Sequence, residues 1–236
     1  MCDLRGRQRC DMELYRYETH LHTSESSACA VIDGAEQAFS YKEAGYSGII
    51  VTDHFFNGNS TVPKNLAWRQ RVELFCIGYE NAKRVGDRIG LSVFFGWETN
   101  FKGTEFLIYG LDKEWLINHP DILFWTLEEH YEKIHKDGGF VVHAHPFRMR
   151  TYIKEVRLFP ECTDAVEAYN IGNRSEEFDH KALVYAKTNK LPITAGTDSH
   201  GLENTRTGIA FEKKLENINN YIDGIKTGKY SIIKTK

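Results

Sequence analysis

Short apolar runs, rich in β-branched and aromatic residues, alternate with stretches of helical spacing along nearly the whole chain. That rhythm limits the possible folds more than any other feature of the sequence. The runs YRYETHLHT, YSGIIVTDHF, LSVFFGWETNF, EFLIYGLD, GGFVVHAHPF, DAVEAYN and LPITAGTDSH are seven expected strands. TGIAF, after Thr207, is a plausible further one. The spacing predicts helices over residues 35–44, 66–89, 127–135, 176–189 and 215–225, the first closed by Gly45 and the fourth ending ahead of Pro192. Strands alternating with helices imply βα units that pair in parallel. Several runs are apolar almost throughout, as strands covered on both faces are. No G-x-G-x-x-G follows the first strand, so a dinucleotide-binding sheet receives no support. Seven or eight such units in 236 residues suit closure into one α/β barrel. The expected organisation is a flexible leader, residues 1–11, and a single barrel domain, residues 12–236.

Composition narrows the partners. The formal net charge of −3 is close to balanced, so nothing suggests nucleic acid as an obligatory partner, and it is not an expected one. Cys2, Cys10, Cys29, Cys76 and Cys162 are odd in number and show no C-x-x-C spacing. Neither a disulfide framework nor a cysteine zinc site is expected, and a cytoplasmic location is. The opening MCDLRGRQRCDMEL has no apolar core segment, and no apolar run reaches the roughly 18 residues that span a membrane. The longest irregular stretch, FFNGNSTVPK over residues 55–64, is expected to lie over the barrel mouth.

Six of the ten histidines, His20, His22, His54, His143, His145 and His200, fall at the C-terminal ends of expected strands. Barrel enzymes place their chemistry at that face. His20/His22, His143/His145 and Asp198/His200 are spaced i and i+2, so both members of each pair point to one side of a strand. Glu98 adds a carboxylate at the end of the third strand, and Asp53–His54 closes the second. A single H-x-H commonly binds nothing, and a lone DSH is commonly a capped turn. Together, imidazoles and carboxylates crowded at one barrel end need a cation to organise them.

ETHLHT, VTDHF, GWE, HAHPF and GTDSH, in this order on successive strands, resemble the motifs of the polymerase and histidinol phosphatase (PHP) family. The resemblance runs from about Tyr17 to RTGIAF. It implies a distorted seven-stranded TIM-like (β/α) barrel with two or three divalent ions at the C-terminal strand ends, hydrolysing phosphate esters. Carried over, His20, His22, Glu98 and Asp198 hold a first ion; Glu98 bridges to a second, with His145; His54 and His200 hold a third. Ser27 stands where an acidic or histidine ligand is common; either Glu25 substitutes from the same loop or the third site is weak. EFLIYGLD lacks the histidine many members use for the second ion; His143 either takes that role or hydrogen-bonds a ligand. Mixed nitrogen and oxygen donors suit Zn²⁺, Mn²⁺ or Fe²⁺.

The expected reaction is attack by water activated between two ions, with Glu98 and Asp198 holding them. Arg148 is expected to bind the phosphate, because a guanidinium fork matches phosphate geometry; Arg206 and Arg174 are weaker candidates. Asp53 is expected to orient a ligand histidine or hold backbone, with a general-acid role as the alternative, and Glu167 to stand behind the ligands or be structural, with direct ligation as the alternative. Trp97 is expected to wall the site, and His119, His130, His135 and His180 to be surface residues. The substrate is expected to be a small phosphorylated metabolite, such as a sugar, nucleotide or histidinol phosphate. A nuclease, a protein tyrosine phosphatase and a non-catalytic metal-holding or regulatory barrel are the alternatives.

Overall fold

The computed structural model describes residues 14–151, 153, 155–202 and 206–234. The expected leader, residues 1–11, lies outside the described residues, as do Cys2 and Cys10. The strands are β1 (Tyr15–Leu21), β2 (Gly48–Val51), β3 (Ser92–Phe101), β4 (Thr104–Tyr109), β5 (Phe140–His143), β6 (Ala165–Asn170), β7 (Ile193–Gly196), β8 (Gly208–Phe211) and β9 (Ser231–Ile233). They form one sheet in the order β7-β6-β5-β4-β3-β2-β1-β8-β9. The ring nearly closes where β1 meets the end of β7: the Asp198 N–H donates to the His20 carbonyl and the His22 N–H to the Ser199 carbonyl, each at 2.8 Å. The seven expected strands are therefore β1–β7, and TGIAF is β8. β9 comes from a tail that reads as polar.

Pairing is parallel among β1–β3 and among β5–β7. β4 runs antiparallel to both of its neighbours, against the expectation of parallel pairing throughout. The cause is local. Two residues separate β3 from β4, and both take positive φ, Lys102 at 56° and Gly103 at 91°. Two left-handed residues make a tight hairpin, whereas a parallel crossover needs a dozen or more residues. Reversal brings the start of β4, not its end, to the mouth where the other strands finish.

The helices are α1 (Gly34–Glu43), α2 (Trp68–Phe75), α3 (Ile77–Ile89), α4 (Lys113–Ile117), α5 (Leu127–Lys136), α6 (Glu176–Thr188) and α7 (Ile218–Thr227). Asp33 caps α1, and Thr126 with Glu129 forms a capping box on α5, as their sequence positions suggest. The helix expected over residues 66–89 is divided at Cys76, where the Ser26 hydroxyl donates to the Phe75 carbonyl at 2.7 Å. That carbonyl would otherwise accept from the next turn.

Strand alternation sorts the core. Ile50, Leu107, Tyr109, Phe140 and Val142 pack with Tyr17, Phe211 and the α7 residues Tyr221, Ile222 and Ile225, which close the barrel end opposite the histidines. Ile49, Val51 and Val93 pack outward with Ala38, Tyr41 and Ala82 of α1 and α3. Trp97, Ile108 and Val141 form another outer cluster with Val72, Phe75, Leu116 and Ile134. Trp97 therefore does not wall the site. It neighbours Glu98, faces the other way, and stacks on Trp115 at 6.0 Å. His130 is buried among Phe101 and Trp125 rather than on the surface. The 55–64 loop buries Phe55 and Phe56 in this outer cluster, and its Asn57 bonds Thr99 at the end of β3. Among the described residues no helix is long and apolar enough to cross a membrane.

Candidate metal centre

The C-terminal end of β1 supplies His20 and His22, both fully buried. Glu98 from β3 stands opposite them, with its Oε1 3.3 Å from His20 Nε2 and 3.1 Å from His145 Nε2. Its Oε2 lies 2.8 Å from His54 Nδ1. Asp198, just beyond β7, places Oδ1 2.9 Å from His22 Nε2 and 3.3 Å from His20 Nε2. His200 turns its Nδ1 to the Asp198 carbonyl at 2.8 Å, leaving Nε2 available as a donor. Among the described residues, four groups have ligand atoms within 4.8 Å of one another: His20, His22 and Asp198; His20, Glu98 and His145; His54, Glu98 and Glu105; and His22, His54 and His200.

A set of supporting groups aims these side chains. Glu167 accepts from His20 Nδ1 at 3.0 Å and from the His145 backbone N–H, which points His20 Nε2 into the cluster. Asn170 Nδ2 donates to Glu167 Oε2 at 2.7 Å, the oxygen that also accepts the His145 N–H. Ser27, in the position where an acidic ligand was sought, sits 3.2 Å from His22 Nδ1 and donates to Asp53 at 2.7 Å. Asp53 also accepts from the backbone and hydroxyl of Thr23. Behind β1, Glu18 accepts from the backbone N–H groups of His20 and Thr197, clasping the two strands that carry His20 and Asp198. His145 and Asp198 hold φ of 29° and 56°. Non-glycine residues in that region are costly and gather at functional sites. Gly196 is needed for the close approach of β7: a Cβ there would fall 2.5 Å from both Glu167 Oε1 and His20 Cβ.

Charge is strongly coupled across the cluster. Burial raises Glu98, but the His20 and His54 imidazoles outweigh it and hold the carboxyl well below its usual range. Burial likewise opposes Asp198, and Arg148 and His20 hold it low. His20 and His54 are driven well above the usual imidazole value, burial being overcome by Glu167, Asp198 and Glu98 for His20 and by Glu98 for His54. Burial, with His54 and His200 close by, pushes His22 well below it.

Several sequence-derived roles fall elsewhere. Glu25 accepts from the Gly34 N–H and from Asn81 and belongs to none of the four groups. His143 is also outside them. β5 stops at His143 and His145 takes a positive φ, so the i, i+2 rule no longer puts both on one side. His143 stacks on Phe106 at 4.8 Å, and neither of its ring nitrogens has a hydrogen-bond partner. Arg148 does reach the site, but Nε bonds Asn173, Nη2 bonds Asn170 and Nη1 pairs with Asp198, so its fork is engaged by the protein. Arg206 lies against α1, bonded to Ser40 and placed over the Tyr41 ring at 4.6 Å. Arg174 is exposed. Glu105 is the donor that sequence reasoning missed. The two-residue hairpin signalled it, because reversal of β4 lifts its first residues to the mouth.

The donor set fits divalent cations. His54 Nδ1 and Glu98 Oε2 face each other at 2.8 Å, yet both are buried without a hydrogen-bond partner. Buried polar atoms are rarely left so, and a shared cation would satisfy both. Imidazole and carboxylate donors suit Zn²⁺, Mn²⁺ or Fe²⁺.

No protein-family model and no curated protein matches the sequence. Solved structures do share the fold. A two-domain protein from Bacteroides vulgatus, containing a predicted PHP-like metal-dependent phosphoesterase, superposes at a TM-score of 0.69 and 12% identity over 97% of this chain and 70% of that one. A protein from Bifidobacterium adolescentis, provisionally assigned as a metal-dependent phosphoesterase, gives 0.60 and 15% over 90% and 96%. An amidohydrolase from Chromobacterium violaceum, with sulfate bound and no metal, gives 0.54 and 15% over 79% and 88%. At such identities the likeness establishes the fold, which is the TIM-like barrel implied by the motifs.

Proposed function

We propose that this chain is a metal-dependent hydrolase of the PHP type that cleaves phosphate esters of small molecules. One observation carries the reading. The two oxygens of Glu98 serve different donor groups, one with His20 and His145 and the other with His54 and Glu105. A carboxylate shared in this way is what a pair of neighbouring ions requires. Such ions, when bound, supply positive charge to phosphoryl oxygens and generate a nucleophile from water at neutral pH. The protein's own part is to set donor geometry. Glu167 orients His20, Ser27 and Asp53 orient His22, and Arg148 holds Asp198 while adding positive charge beside the ions. Motif order on this fold supports phosphate esters over amides, and the net charge of −3 favours a small substrate over a nucleic acid.

The test loads purified protein with Mn²⁺, Zn²⁺ or Fe²⁺, counts ions by elemental analysis, and assays p-nitrophenyl phosphate, a phosphometabolite panel and an N-acyl amide panel. Two or three ions per chain with phosphatase turnover is the expected result. Failure to retain any ion favours a non-catalytic barrel and defeats the proposal. Turnover confined to amides would also defeat it.

A further inference from the structure

His20 and Asp198, which share a donor group, are each held from behind by a charged side chain, His20 by Glu167 and Asp198 by Arg148. One residue joins these two supports. Asn170, the last residue of β6, is buried. Its Nδ2 donates to Glu167 Oε2 at 2.7 Å, and its Oδ1 accepts from Arg148 Nη2 at 2.6 Å. The neighbours fix the direction of that amide. A guanidinium only donates and a carboxylate only accepts, so a side chain between them must present one acceptor and one donor. Turned over, the amide would set N–H against N–H on one side and oxygen against oxygen on the other. Gly172 shows how closely the groups converge. A Cβ there would fall 2.8 Å from Arg148 Nη2, 2.9 Å from Asn170 Oδ1 and 3.0 Å from Asp198 Oδ2.

We infer that Asn170 is a positioning residue whose amide couples Glu167 to Arg148, so that His20 and Asp198 are aimed as a pair rather than one by one. Aspartate has the same shape but only accepts. At position 170 it would keep the contact with Arg148 and set a second acceptor against Glu167. The Glu167 carboxylate would then turn away from His20 Nδ1 and the His145 N–H, the two groups it aims. Partners that orient ligands in this way are worth about 10–100-fold in metal affinity. The inference rests on the metal-centre reading above and adds to it the residue that ties two ligand supports together.

The experiment strips the full-length chain of metal, titrates it with Zn²⁺ by calorimetry, and repeats this for Asn170→Asp, Asn170→Ala, Glu167→Gln and the double variant Glu167→Gln/Asn170→Asp. Circular dichroism of each metal-free protein checks the fold. Asn170→Asp should bind Zn²⁺ about 10–100-fold more weakly at the two positions that use His20. The His22, His54 and His200 position uses neither His20 nor Asp198 and should keep its affinity. Asn170→Ala, which adds no charge, carries the test if Asn170→Asp does not fold, and should lose affinity at the same two positions. The double variant reverses the polarity of the contact, the new amide donating to the new carboxylate. It should bind more tightly than either of its single variants, whereas a merely structural role predicts losses that add. Unchanged affinity in the Asn170 variants, a loss spread evenly over every position, or additive losses would overturn the inference and leave the metal centre standing. An unsubstituted protein that binds no ion would overturn both.

Discussion

Replacing Glu98 with glutamine changes the shape of the side chain little and removes one negative charge from a group that is 1% exposed. Oε1 lies 3.1 Å from His145 and 3.3 Å from His20, and Oε2 lies 2.8 Å from His54. Both oxygens belong to donor groups, so a single substitution strips an anion from two ion positions. Removing one partner from a buried charge pair costs about 3–5 kcal/mol, and each ~1.4 kcal/mol is tenfold in binding. Zn²⁺ or Mn²⁺ should therefore bind about 100- to 4,000-fold more weakly at each of those two positions. The His22, His54 and His200 group contains no Glu98 atom and should keep its ion. Calorimetric titration, with elemental analysis after dialysis against metal buffers, measures the loss position by position. Circular dichroism of the metal-free variant checks that the fold survives. A Glu98→Gln protein that binds the full set of ions with unchanged affinity would refute the idea that this carboxylate is shared.

Metal affinity should climb with pH beyond the ordinary imidazole value near 6.5, because His20, His54 and His200 all titrate above it and protons compete with ions for their nitrogens. The dependence of binding enthalpy on buffer ionisation reads the proton release, and pH-independent binding would contradict it. Gly196→Ala should lower stability by about 1–3 kcal/mol, a fall of about 2–12 °C in Tm, since its Cβ meets Glu167 and His20 at 2.5 Å. Ion content should fall with it; thermal denaturation with and without Zn²⁺ tests both. His143→Leu should leave ion content unchanged and shift stability by less than about 1.5 kcal/mol, because a buried imidazole without partners is exchanged for an apolar group. Loss of an ion in that variant would restore His143 as a ligand.

Much of the architecture was legible because its determinants are local. β-branched runs, capping residues and the strand-end positions of His20, His22, His54, Glu98, Asp198 and His200 can all be read along the chain. The failures share a cause. Extrapolating strand alternation past the end of β5 paired His143 with His145, and the positive φ of His145 breaks that rule. Assuming that every strand points the same way hid Glu105 until the Lys102–Gly103 hairpin turned β4 around. Arg148, Glu25 and Arg206 had the right chemistry for their expected roles, but charged groups in or near a core take the nearest partners, here Asp198, Asn81 and Ser40.

The amino-acid order by itself determined the alternating elements, the barrel class and the set of nitrogen and oxygen donors delivered to one end, because side-chain direction along a strand repeats every two residues. Only the tertiary structure decided which donors share a cation. His20 meets Asp198 because β1 and β7 close the ring through His20–Asp198 and His22–Ser199 backbone hydrogen bonds. Glu98 meets Glu105 because a tight turn reverses the chain between them. Those contacts depend on strand direction and ring closure, which join residues far apart in sequence and leave no period along the chain.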